Sequence, residues 1–266
     1  MPRYSVKPKE YKDFIELPSI TEITDPISFP STAASGWATK VFEEKIYSEI
    51  DKLGRLSHDK VKDIIKNSRF TYKEESDIAK DTGSIVHSLI ERHIKKTLNI
   101  DLKNYSDQVQ NSFNAFLAWE KFTGIQWLES EKTIYLIDPE SGLIYGGTLD
   151  TTALLFGRID VLDFKSSKKF YPDSMVPQIS AYKYARILLN GMSADIKRKD
   201  EKSYIETYES YDIQGMGVIR LDKETGYPEY KDYTKNYDRG FESFGHLCRY
   251  YYSAKKRRLK NNPLAK

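Results

Sequence analysis

Apolar and polar positions alternate at helical spacing in the first half of the chain and at strand spacing in its middle. Residues 1–17 are polar and read as extended. Leu17-Pro18-Ser19-Ile20-Thr21-Glu22 then forms a helix start, with Ser19 as N-cap and Glu22 completing a capping box. Pro26 and Pro30 keep that helix short. A second helix is expected over 32–53, and Ser57-His58-Asp59 caps a third that ends near Asn67. The next covers 77–98. At about 100° per residue, Ile85, Val86, Leu89, Ile90 and Ile94 make one apolar stripe. His87 falls at its edge, and Glu91 lies one turn further along. Ser106 caps a further helix with Val109, Phe113, Phe116 and Leu117 inward and Gly124 at its end.

The period then changes. Residues 133–137, 143–155 and 158–165 read as strands, separated by Asp138-Pro139-Glu140-Ser141-Gly142 and by Phe156-Gly157. Residues 175–189 are helical and stop at Gly191. Residues 195–208 are a charged, tyrosine-containing insertion. A strand over 216–221, a turn at Lys223-Glu224-Thr225-Gly226 and a helix over 237–256 close the chain. Helices, an antiparallel meander, a helix, a strand and a last helix describe an α/β or α+β domain. No internal repeat interrupts it.

The strand pair around Phe156-Gly157 carries the candidate chemistry. If the loop is centred between these two residues, opposed positions have numbers summing to 313, and Asp150 faces Asp163. Their Cβ atoms would be roughly 5 Å apart, and Lys165 would emerge on the face of Asp163. Opposed carboxylates repel unless compensated. A shared divalent cation compensates them, and Mg²⁺ typically takes one or two carboxylates while keeping waters and phosphate. A lysine two residues on could hold an attacking water or a phosphate. This arrangement suits metal-assisted phosphodiester hydrolysis; a surface hairpin with an ordinary Asp–Lys pair has the same spacing. Asp160 faces Ala153 in this register and lies off the Asp163 face. Glu131 and Asp138 are outer-shell candidates, and His58, His93 and His246 have no comparable context.

Composition narrows the classes. No apolar run approaches the roughly 18 residues of a membrane helix, and residues 1–20, with Lys7, Lys9, Glu10, Lys12, Asp13 and Glu16, lack a secretory h-region. The one cysteine, Cys248, excludes an internal disulfide, a Cys-based zinc site and a four-Cys iron–sulfur cluster; it reads as a buried apolar residue. The chain therefore reads as cytoplasmic, or at least as intracellular and reducing. A net charge of +3 is too mild to mark a nucleic-acid binder. Its distribution is more telling. Basic clusters stand at Lys165-Ser166-Ser167-Lys168-Lys169, Lys197-Arg198-Lys199 and Lys255-Lys256-Arg257-Arg258-Leu259-Lys260, and the 20 tyrosines supply stacking surface. Cations with aromatics suit single-stranded nucleic acid.

Asp150 followed by Asp163-Phe164-Lys165 resembles the D…(D/E)xK signature of the PD-(D/E)XK nuclease superfamily. Gly83-Ser84-Ile85-Val86-His87-Ser88-Leu89-Ile90-Glu91 resembles the GxxxHxxxE helix of its RecB-like branch, and Gln178-Ile179-Ser180-Ala181-Tyr182 its QxxxY helix. Order and spacing agree across about residues 77–190. Leu17-Pro18-Ser19-Ile20-Thr21 is similar to the amino-terminal segment of phage exonucleases and of the mitochondrial genome maintenance exonuclease. The resemblance implies a restriction-endonuclease-like α/β core with a mixed sheet flanked by helices. In this division 77–256 is the nuclease core, 1–76 a helical region forming a DNA-entry rim, and 257–266 a basic tail.

It also implies roles. His87, Asp150, Asp163 and the Phe164 carbonyl would ligate Mg²⁺ or Mn²⁺, and Lys165 would be the catalytic lysine. Gln178 and Tyr182 would orient the lysine and the DNA phosphate, with Glu91 in support. Ser19, Thr21, Ser166 and Lys168 would join Gln178 and Tyr182 in touching DNA. The expectation is a metal-dependent DNA exonuclease acting on single-stranded or frayed ends beside replication or recombination proteins. Its rivals are an endonuclease or duplex-processing recombination exonuclease, and an inactive nucleic-acid-binding protein.

Overall fold

The computed structural model describes residues 4–28, 31–53, 58–68, 71–198, 202–254 and 259–264. In chain order its elements are β1 (Tyr4–Pro8), β2 (Ile15–Leu17), α1 (Ile20–Ser28), α2 (Ser31–Leu53), α3 (His58–Ser68), α4 (Thr71–Ile94) and α5 (Asp107–Thr123). There follow β3 (Gln126–Asp138), β4 (Leu143–Leu155), β5 (Arg158–Lys165), α6 (Pro172–Leu188), β6 (Ser193–Arg198), β7 (Tyr204–Thr207), β8 (Ile213–Leu221), β9 (Pro228–Asp232) and α7 (Tyr237–Ala254). The class is mixed α/β, and no described helix is long and apolar enough to cross a membrane.

The chain divides into two compact units, Met1–Ser28 with Val86–Lys266, and Phe29–Ile85. This corrects the expected 1–76 region. β1 pairs with β2 and β6, and Ile20 and Ile23 of α1 are buried in the larger unit's core, so the first 28 residues belong there. The smaller unit holds α2, α3 and the start of α4. Ser57 and the basic run 255–258 lie outside the described residues.

In the larger unit a five-stranded sheet runs β3-β4-β5-β8-β9, antiparallel except for the parallel pair β5–β8, which α6 connects. Its central strands β4, β5 and β8 bury both faces, so neighbouring residues serve opposite cores. Val161 and Val218 enter a cluster with Ile179 of α6 and Phe244 and Cys248 of α7. Leu162, Phe164 and Ile219 enter another with Leu89 and Ile90 of α4 and Phe113 and Phe116 of α5. Ile85, expected in the α4 stripe, is 38% exposed, and the buried set begins at Val86. Gly124 ends α5 at φ +62, as a C-terminal glycine should.

A second sheet runs β2-β1-β6-β7. The insertion at 195–208 thus contributes two paired strands, and residues 1–17 two more. The sheets are tied where the Gly146 N–H donates to the Pro18 carbonyl at 2.9 Å.

Candidate active site

Three strands bring the chemistry together. The expected 313 register holds over five pairs, from Leu155↔Arg158 to Thr151↔Leu162. There the β4–β5 ladder stops, while β5 continues beside β8 through Lys165↔Arg220. At the point of separation Asp150 Oδ2 accepts the Phe164 N–H at 2.8 Å. A side chain thus replaces a strand carbonyl as the acceptor for that buried donor. On the other side of β4, Ser130↔Thr151 and Lys132↔Leu149 bracket Glu131 and Asp150, leaving Glu131 opposite Asp150. Glu131 has φ +54, a left-handed conformation uncommon for a residue with a side chain.

His87 reaches the same point from α4. Its Nδ1 lies 3.4 Å from Asp150 Oδ1, and its Nε2 lies 3.1 Å from the Phe164 carbonyl oxygen. One ligand atom from each of His87, Glu131 and Asp150 falls within 4.8 Å of the others, forming a group that could hold a metal ion. An imidazole and two carboxylates, with a carbonyl oxygen beside them, suit Mg²⁺ or Mn²⁺ better than a soft metal. Asp163 contributes no atom to that set. Its buried carboxylate is instead bound by Lys165 Nζ, at 2.8 Å from Oδ1 and 2.7 Å from Oδ2.

Charge in this cluster is tightly balanced. Burial opposes the charge on His87, yet the Asp150 carboxylate lifts the imidazole to about 9. Burial and Asp150 together push Glu131 up to about 7. Asp150 is held below the usual carboxylate range: burial opposes this, and the charges of His87 and Lys165 with the Phe164 N–H outweigh it. Asp163 is raised by burial against the pull of Lys165. Lys165 stays charged because Asp163 and Asp150 overcome the cost of burying it.

Gln178 and Tyr182 do share a face of α6. Gln178 Nε2 donates to the Tyr182 hydroxyl oxygen at 3.1 Å, which leaves the Tyr182 proton for another acceptor. Burial and the charges of Asp163 and Asp150 hold that hydroxyl protonated. Its ring needs Gly147: a Cβ there would lie 2.8 Å from Tyr182 Cε1 and 2.9 Å from Ile20 Cδ1.

Other sequence-nominated residues serve the frame. Ser19 Oγ accepts the Glu22 N–H at 3.0 Å as the helix cap, and Thr21 is exposed on α1. Ser166 and exposed Lys168 lie on the loop after β5, where Arg220 Nη1 donates to the carbonyls of Ser167 and Lys168. Glu91 pairs with Lys95 at 2.6 Å. Asp160 faces Ala153 as expected and pairs with Arg158; His93 pairs with Glu120, and Asp138 accepts Ser141 groups.

Glu131 is the residue whose place the sequence left undecided. The same counting would have found it: the β3–β4 hairpin closes at Asp138↔Leu143, and numbers summing to 281 put 131 across from 150. Beside the group lies a polar cleft of about 520 Å³, walled by Glu91, Ile94, Lys95, Trp127, Lys132, Arg198 and Tyr204 among others. Scanned against known protein families and against curated proteins, the chain matches none.

Proposed function

We propose that the chain is a Mg²⁺- or Mn²⁺-dependent deoxyribonuclease with a PD-(D/E)XK core of the RecB-like branch. The observation that carries this reading is the meeting of His87, Glu131, Asp150 and the Phe164 carbonyl beside the Asp163–Lys165 pair. A mixed sheet flanked by helices is what the motif resemblance implies, and the D…DxK residues stand where β4 and β5 part. The preference for free single-stranded ends follows from the resemblance to exonucleases.

His87, Glu131, Asp150 and the Phe164 carbonyl would hold the cation. Bound there, a divalent ion supplies charge to the phosphate and acidifies an attacking water. Lys165 keeps its ammonium charged through Asp163 and presents donors to the water and the phosphoryl oxygens. Tyr182, protonated and already accepting from Gln178, has its own proton to give a phosphate oxygen. Water adds to phosphorus, the P–O bond to the leaving nucleotide breaks, and the water's proton leaves to solvent or to the departing oxygen.

The test is cleavage of end-labelled linear single-stranded, duplex and circular DNA with Mg²⁺, Mn²⁺ or EDTA, by wild type and Asp163→Ala. Loss of linear single strands only, requiring metal and abolished by the substitution, is the expected result. Equal cutting of closed circles would make the chain an endonuclease. Binding without cleavage under every metal would make it a nucleic-acid-binding protein.

A further inference from the structure

The 195–208 segment, charged and unassigned by the sequence, grips β3 at the residues around Glu131. Arg198, the last residue of β6, donates from Nε and Nη2 to Thr133 Oγ1 at 3.0 and 2.8 Å, and from Nη2 to the Glu131 carbonyl at 3.1 Å. The Tyr204 hydroxyl meets the same Thr133 Oγ1 at 3.0 Å, and Tyr208 donates to the Thr133 carbonyl at 2.6 Å. Lys132 Nζ closes the set on Glu206 and the Thr207 carbonyl. These contacts surround the one β3 residue with a left-handed backbone. Such a conformation persists only where neighbours over-determine it.

We propose that Arg198 is a positioning residue for the cation site, its guanidinium bracing Thr133 and the Glu131 carbonyl so that the Glu131 carboxylate stays beside His87 and Asp150. The assignment rests on reading those three residues as the cation's ligands. Arg198 suits the task because a planar fork can bond two acceptors in fixed directions, which an ammonium on a flexible stem does not. Partners behind a ligand commonly set metal affinity by about 10- to 100-fold. Glu131 is a demanding case, since its backbone conformation as well as its side chain must be held.

Mn²⁺ binding to the full chain, followed by electron paramagnetic resonance without DNA, tests this. Wild type should bind, and Glu131→Ala and Arg198→Ala should each weaken binding about 10-fold or more. The double variant should bind no more weakly than either single one, because the two act through one ligand. Thr133→Val should mimic Arg198→Ala, and Thr133→Ser, which keeps the acceptor, should restore binding; this pair carries the test should Arg198→Ala not fold. Lys7→Ala, which removes the 2.8 Å ion pair to Asp195 on the same strand, should leave Mn²⁺ affinity unchanged. Wild-type affinity in Arg198→Ala or Thr133→Val, or losses that multiply in the double variant, would overturn the positioning role while leaving the metal site standing. No Mn²⁺ binding by wild type would remove the metal site itself, and the positioning role with it.

Discussion

Asp150 faces the His87 ring with one oxygen and takes the Phe164 N–H with the other, so its charge is the main one raising His87 and also helps raise Glu131. Metal-free protein should show this directly. His87, lifted to about 9 despite burial, favours its charged form in the fold; that stability is full below its ordinary 6.5 and vanishes as pH rises through about 9. Glu131, raised to about 7 by burial and Asp150, acts in the same sense from 4.5 upward. In EDTA the chain should therefore lose stability as pH rises from about 4.5 to about 9. Its His87 resonances should titrate near the upper end of that window, and Asp150→Asn should bring them down. An NMR titration checks both; a wild-type midpoint below 7 would contradict the charge balance described. At this scale the sequence was most legible where a side chain follows the strand register, as Lys165 does beside Asp163. It was least legible at Glu131, whose strand was expected to begin only at 133 because Glu129, Ser130, Glu131 and Lys132 show no apolar alternation.

β4 and β5 were readable to the residue because Phe156-Gly157 punctuates two strongly apolar runs. The short strands β6, β7 and β9 were not. They have few buried positions to mark them in sequence, and β6 takes the distant β1 as one of its partners. Helix α6 was legible in place but not in extent: it starts at Pro172 and carries Pro177 within it, a residue that usually argues against a helix interior. This helix also supplies two tests of packing. Gly147→Ala pushes a methyl into Tyr182 and Ile20, and should destabilise by about 1–3 kcal/mol in a denaturant melt. Arg186 is fully buried and binds Glu129 bidentately at 2.8 and 2.9 Å. Arg186→Met strands that carboxylate and should cost about 3–5 kcal/mol by the same measurement. A loss under about 1 kcal/mol would mean that Glu129 finds another partner.

For the molecule as a whole, the α/β class was legible in the pattern of elements and the domain limits were not. Residues 1–17 have no strong pattern of their own, yet β1 and β2 complete a sheet with β6, and Glu16 meets residues 260 and 262. Glu16 N–H donates to the Lys260 carbonyl, and Asn262 Nδ2 donates to the Glu16 carbonyl at 2.9 Å and reaches the Tyr252 hydroxyl at 3.0 Å. Asn262 is 4% exposed, so Asn262→Ala leaves acceptors unpaired and should cost about 1–3 kcal/mol in thermal unfolding. An unchanged melting temperature would show that the two ends are not coupled.

Cleavage is tested by the single-turnover rate on linear single-stranded DNA as Mg²⁺ is titrated against EDTA, for wild type and Lys165→Ala. Wild type should gain activity saturably with metal and lose it in EDTA. Lys165→Ala should fall by about 10²-fold or more while binding the same DNA in Ca²⁺ with little change. Wild-type cleavage that persists in EDTA would remove the cation from the reaction, and a Lys165→Ala variant as fast as wild type would remove Lys165 from it.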